Sequence, residues 1–276
     1  MTTVTARRQT YWDIRAAGNF IGGGSGSGLI AVSALAAALG EAQAARLPML
    51  TGVVLVGLGL SLVWLEIGKP WRALNVFFHP QTSWMTRESI VAGPLLAAAA
   101  AGAWFAMPAL MLLAGALALG FLYCQARILR ASRGIPAWRQ EEIVPFILAT
   151  GIAEGSGLFL AAGSQSGWFA LLALAACLAR EGTWLAYMRG LTDSGVAAQA
   201  LAVFSSRGSK ALRLVQLVAL AGLALAMVLG TGPGIALAGL LAAVTGWGIK
   251  FVIITRAAFT RSASIPFSPV RGRAAM

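Results

Sequence analysis

Hydrophobic residues in this chain fall into long runs that do not alternate with polar ones, separated by short polar breaks. About 20 such residues cross a bilayer as a helix. Eight stretches qualify, at about 18–39, 48–67, 89–106, 109–129, 143–163, 168–189, 211–230 and 233–256. Long unalternating runs predict spanning helices rather than barrel strands. The expected fold is therefore an all-α integral membrane protein, an eight-transmembrane-helix bundle forming a single membrane domain over 1–276. No soluble domain, linker or internal repeat interrupts it. The segment D-S-G-V-A-A-Q-A-L-A-V-F-S at 193–205 has the character of a short interfacial helix. The N-terminal stretch M-T-T-V-T-A-R-R-Q-T-Y-W-D-I-R lacks a signal peptide's apolar core and cleavage site, so the first helix is expected to persist in the mature protein.

The connections alternate in character. Those at 106–108, 164–167 and 231–232 are short and uncharged, and the first connection carries only Glu41 and Arg46. The opposite set holds Arg7, Arg8 and Arg15; Lys69, Arg72 and Arg87; Arg127, Arg130, Arg133 and Arg139; Arg189, Arg207, Lys210 and Arg213; and Arg256, Arg261, Arg271 and Arg273. That is 18 of the 21 basic residues, with Arg46 opposite and Arg180 and Lys250 inside helices. The positive-inside rule then puts both termini and every long loop in the cytoplasm, as in a multi-pass protein of the bacterial inner (cytoplasmic) membrane.

Composition agrees. The chain is 58% hydrophobic and 11% charged, against about a quarter charged for a soluble domain. Its 33 glycines suit helices packed closely in lipid. The net charge of +12 reads as topogenesis and contact with membrane lipid, so no nucleic-acid partner is expected.

Redox chemistry of its own is hard to place in this chain. Cys124 and Cys177 form no CxxC pair and cannot hold an iron–sulfur cluster, which usually takes four thiolates. With His79 the only histidine, histidine-ligated haem is not expected, nor is a metal site. Electrons would have to come from a partner and meet a diffusible carrier such as a quinone. The glycine-rich run Gly18–Gly28 follows no strand and leads to no Gly-Lys-Ser/Thr, so it reads as a helix face for close backbone approach. Asn19, near the cytoplasmic surface, offers an amide to a ring carbonyl.

The polar chemistry concentrates between 66 and 88. Glu66 ends the second helix, Gly68 and Pro70 break it, Arg72 and Asn75 share a face of one turn, and Trp84 precedes Arg87 and Glu88. Ionisable residues at a membrane boundary are functional candidates. Quinone chemistry moves protons as well as electrons, so Glu66 and Glu88 are the candidate proton-exchanging groups. The bland alternatives are a helix-dipole role for Glu88 and positive-inside anchoring for the bases. Deeper in the bundle, Glu154 and Arg180 are expected at depths about 3 Å apart, close enough to pair, with Glu181 directed elsewhere, toward Lys250. These four read as a structural ion-pair network or a proton path. A proton-coupled secondary transporter built on the same charges is the alternative function.

The runs G-K-P-W-R-A-L-N and S-W-M-T-R-E, followed by I-P-A-W at 135–138, resemble motifs of the polysulfide-reductase and dimethyl-sulfoxide-reductase membrane-anchor family. With W-D-I-R-A-A-G-N-F at 12–20 and K-F-V-I-I-T-R-A-A-F near the C-terminus, the chain is most similar to anchors of phenylacetyl-CoA:acceptor oxidoreductases or of cytoplasmic sulfite-oxidising molybdoenzymes. The resemblance implies a haem-free anchor that exchanges electrons with menaquinone or ubiquinone. Its partners would be an iron–sulfur electron-transfer subunit and a molybdopterin catalytic subunit, both on the cytoplasmic side. It implies quinone reduction and no substrate catalysis by this subunit alone. Glu88 matches the family's quinol-site glutamate, whereas Glu66 stands where the family has a histidine. Asn19, Arg72, Asn75, Trp84, Arg87 and Trp138 are then expected to line the quinone pocket or its partner-facing rim.

Overall fold

Apolar runs out of reach of water must satisfy their backbone internally, and the helix does so within one segment. The computed structural model describes residues 2–4, 6–65, 70–163, 165–194, 198–260 and 263–265. Its long helices are α1 (Ile14–Ala38), α2 (Ala42–Trp64), α3 (Trp84–Trp104), α4 (Pro108–Ala131), α5 (Ile143–Ala162) and α6 (Gly167–Asp193). After the short α7 (Ala198–Phe204) come α8 (Arg207–Leu229) and α9 (Gly232–Phe251). Seven of these are long and apolar enough to cross a membrane, so the chain is an all-α, multi-pass membrane protein. The exception among the long helices, α3, has 21 residues, but its run is largely alanine and glycine and it carries Arg87 and Glu88 near its start.

Helices α1, α2, α3 and α8 begin four to six residues before their apolar runs predict. Capping explains three of these starts. Asp13 Oδ1 accepts from Arg15 N at 2.8 Å, and the hydroxyls of Ser83 and Ser206 accept from Thr86 N and Ser209 N, each at 3.3 Å. Each satisfies an otherwise orphaned donor and starts its helix in polar sequence. Arg15 also holds the Asp13 carboxyl below the usual carboxylate range through its side-chain and backbone hydrogen bonds. That contribution is complete above the ordinary carboxylate value and is lost as pH falls through the lowered one.

Helix α1 is the axis of the bundle, with 17 of its 25 residues buried. It packs against α2, α4, α5 and α9, while α3 lies on α4 and α2, and α6 and α8 complete the other half around α5 and α9. The α1–α5 crossing is backbone against backbone: a Cβ on Gly28 would strike the Gly151 carbonyl, and one on Gly155 would strike Gly28 itself. Small residues allow this approach, which dispersion and close packing reward in lipid.

The two ends of the chain meet. Gln9 N donates to Ala258 O at 2.9 Å and Thr260 N to Arg7 O at 2.8 Å, beyond which Thr2–Val4 pairs antiparallel with Ala263–Ile265. Helix α9 widens into a π turn at Val252–Arg256. There Ile253 O accepts from the Trp138 indole at 2.9 Å. Within the expected interfacial segment, α7 turns Phe204 inward onto the rings of Trp184 and Tyr187.

Gly155→Val is expected to destabilise the bundle by about 1–3 kcal/mol or more, since backbone rather than a yielding side chain stands in the way. The check is the thermal unfolding midpoint of the detergent-purified chain; an unchanged midpoint would mean the α1–α5 contact is not close.

Candidate functional site

Three helix ends and a turn converge at the end of the bundle where the basic loops lie. Each helix offers residues at i, i+3 and i+4, the spacing of one helical face: Ala16, Asn19 and Phe20 from α1; Leu60, Val63 and Trp64 from α2; Met85, Glu88 and Ser89 from α3. Trp12, Val76 and Ile128 close the walls of a cavity of about 140 Å³. The lining is apolar except for Asn19, Glu88 and Ser89.

Glu88 lies in the second turn of α3 and is only 5% exposed. A solvated carboxylate complementing the helix dipole would stay in the first turn and in water, so burial argues for another use. The side-chain amides of Asn19 and Gln125 lie near this carboxyl. Gln125 is fully buried and donates from Nε2 to Asn19 O at 3.2 Å. Asn19 Oδ1, Glu88 Oε1 and Gln125 Oε1 are all buried without a hydrogen-bond partner among the described residues. Leaving a buried acceptor unpaired costs roughly 1–3 kcal/mol, so the two on cavity-lining residues, Asn19 and Glu88, call for a donor.

Of the residues expected at the site, Asn19 and Glu88 are brought together at the cavity. Glu66 and the side chain of Arg72 lie outside the described residues. Asn75 is exposed on the 3-10 turn Pro70–Phe77, and its neighbour Val76 faces the cavity instead. Arg87 is turned away, clamping the loop before α3 through Pro80 O at 2.7 Å and Gln81 O at 2.9 Å. The guanidinium groups of Arg87 and Arg127 both lie over the Trp84 ring, 4.1 and 4.4 Å from its centroid. Trp138 is no rim residue either. It is buried behind Trp12, with ring centroids 4.8 Å apart, and braces the π turn. These three residues shape the site's surroundings without lining it.

Sequence reasoning missed the aromatic and aliphatic walls, and it missed Gln125. An amide inside the run F-L-Y-C-Q-A-R is a polar residue at membrane depth, which was the available signal.

The expected deep pairings, Glu154 with Arg180 and Glu181 with Lys250, do not form. Glu154 pairs with Lys250, Oε2 to Nζ 2.6 Å, both side chains fully buried, and not with Arg180. Arg180 instead donates to Ala242 O at 2.7 Å. Glu181 pairs with Arg213 at 2.5 Å and accepts from Gln216, and not with Lys250. The cause is helix arrangement: α9 packs beside α5, whereas the face of α6 bearing Glu181 meets α8. Ser25 Oγ adds a hydrogen bond to Glu154 Oε2 at 2.7 Å and receives one from the Trp247 indole at 2.7 Å. Removing one partner of such a pair strands a charge. Lys250→Met is therefore expected to cost about 3–5 kcal/mol, read from denaturant or thermal unfolding in detergent. No loss would mean Glu154 needs no counter-ion.

No protein-family model matches this chain, and no curated protein sequence matches it.

Proposed function

We propose that this protein is the haem-free membrane anchor of a molybdopterin/iron–sulfur oxidoreductase, and that the cavity beside Glu88 binds the head group of menaquinone or ubiquinone. The observation that carries the reading is the pair of unpaired acceptors on Asn19 and Glu88, two residues that line an apolar cavity. A quinol presents two hydroxyl donors on a flat apolar ring, the chemistry those atoms lack. Size supports it: an apolar cavity of about 150 Å³ holds a benzene-sized ring, and this one is about 140 Å³. Exposed Trp64 and Met85 at the α2–α3 edge give the isoprenoid tail a way to lipid.

In this reading Trp12 and Phe20 hold the ring and the Asn19 amide orients a ring oxygen. Glu88 exchanges its proton, and Glu66 remains the candidate for the second. In this reading eight helices cross a bacterial inner membrane, with both termini and the site in its cytoplasmic half; the basic loops at the cavity's end support that orientation by the positive-inside rule. Iron–sulfur and molybdopterin subunits dock on that side, and electrons pass from substrate to quinone. The family resemblance of the 68–88 and 135–138 motifs supports these partners.

A proton-coupled secondary transporter is the second reading, favoured by the Glu154–Lys250 pair deep in the bundle. Transport by the chain alone in proteoliposomes would decide for it.

Glu88→Gln tests the first reading. Quinone turnover by the purified complex is expected to fall by roughly 100-fold, the scale of lost general acid–base assistance, with subunit assembly intact. Unchanged turnover would remove Glu88 from the site, and a chain that purifies without metal-containing partners would remove the anchor role.

A further inference from the structure

A second cavity, of about 470 Å³, opens at the basic end of the bundle between the start of α8 and the end of α9. Its rim carries two arginines. Arg8 pairs through its backbone with Phe259 where the chain ends meet, and Arg256 closes the π turn. Both are exposed, and neither makes an ion pair among the described residues. Asp13, which lines a neighbouring cleft with these two arginines, is taken by Arg15 at 2.9 Å. Ser206 and Gly208, at the start of α8, complete the rim. No aspartate or glutamate lines the cavity, and none stands in the first turn of α8 to offset its dipole. Below the rim the walls are apolar, formed by Val203, Leu212, Phe251, Val252 and Phe259. The floor is where α8 meets α9, since a Cβ on Gly248 would strike Leu212. At about 1.5 Å per residue, Leu212 lies about 9 Å along α8 from Ser206.

We propose that this cavity binds an anionic phospholipid of the membrane leaflet at this end. The headgroup phosphate sits at the Arg8 and Arg256 rim, and the start of an acyl chain covers the apolar walls. Guanidinium groups suit the phosphate, since their planar forks present paired N–H donors. A basic pocket between helices at the membrane surface is the setting in which lipid headgroups are recognised. Free phosphate would use the rim and leave the apolar walls bare, whereas a lipid uses both. A zwitterionic lipid would bring another cation to a rim that already holds two. The groups that hold the lipid come from distant parts of the chain: Arg8 before α1, Gly208 in α8 and Arg256 after α9. A bound lipid therefore ties the start of α8 to the paired chain ends, and stabilises the folded bundle by binding it alone. This cavity shares no lining residue with the one beside Glu88, so the inference stands apart from the quinone reading.

Native mass spectrometry of the detergent-purified chain, titrated with phosphatidylglycerol, tests the site. The wild-type chain is expected to prefer phosphatidylglycerol over phosphatidylcholine by roughly tenfold or more, and to keep it in millimolar inorganic phosphate. The double variant R8Q/R256Q is expected to bind it roughly 30-fold more weakly, the scale of two basic residues at an anionic lipid. R133Q/R189Q removes two exposed bases outside the cavity, and its affinity is expected to stay within about twofold. Gly208→Glu separates the site from the fold. Space is open around that Cβ, and an acid in the first turn suits the helix dipole. Its thermal midpoint is expected to hold or rise while lipid binding is lost, and it carries the test if the arginine pair misfolds. Full binding by either folded variant of the site would overturn the inference. So would equal binding of phosphatidylcholine, an equal loss in R133Q/R189Q, or displacement by inorganic phosphate.

Discussion

The rest of the bundle depends on one constraint: α1 must come within backbone contact of its neighbours. Gly22 and Gly26 meet the carbonyls of Leu55 and Gly52 on α2, and Gly28 meets α5. Between them Gly23 and Gly24 face the side chains of Gln125 and Lys250. A single side chain at any of these positions would push a helix or a polar group away. Lipid offers no hydrophobic gain for associating helices, so this close fit is a main source of cohesion. It also decides where the polar groups lie, because the space left by absent side chains is where amides and charges can be buried.

Burying charge in such a place is costly unless each charge finds partners. The bundle meets that cost by different means at different depths. Arg180 takes a backbone carbonyl, Glu181 takes Arg213, and Glu154 takes Lys250 with help from Ser25. Glu88 differs, since it makes no ion pair among the described residues and the neutral amides of Asn19 and Gln125 lie beside it. A fold that pairs its other deep acids this closely and leaves this one open beside a ring-sized cavity has the makings of a binding site.

The helices were legible because a membrane span writes itself as uninterrupted hydropathy. Their first turns were not, because Asp13, Ser83 and Ser206 start helices in sequence that hydropathy scores as loop. Asn19 and Glu88 stood out as polar residues beside apolar runs. The walls did not: Leu60, Val63 and Trp64 look like any lipid-facing residues until α3 is laid against them. Trp138 and Arg87 misled for the opposite reason. Their chemistry suits a ligand pocket, yet a widened helical turn and an irregular loop left carbonyls for them to satisfy. The unexpected partners of Glu154 and Glu181 mark a further limit, since depth along a helix can be counted from sequence but the neighbour across the gap cannot.

In the proposed complex a quinone ring sits between α1, α2 and α3 against Glu88. The most direct measurement is photolabelling of the detergent-purified chain with an azido-quinone, followed by peptide mass spectrometry. Labels are expected on the segments bearing Trp12 and Phe20, Trp64, and Met85, competed away by unlabelled quinone. Labels confined to the lipid-facing surfaces of α8 and α9, or insensitive to competition, would contradict it.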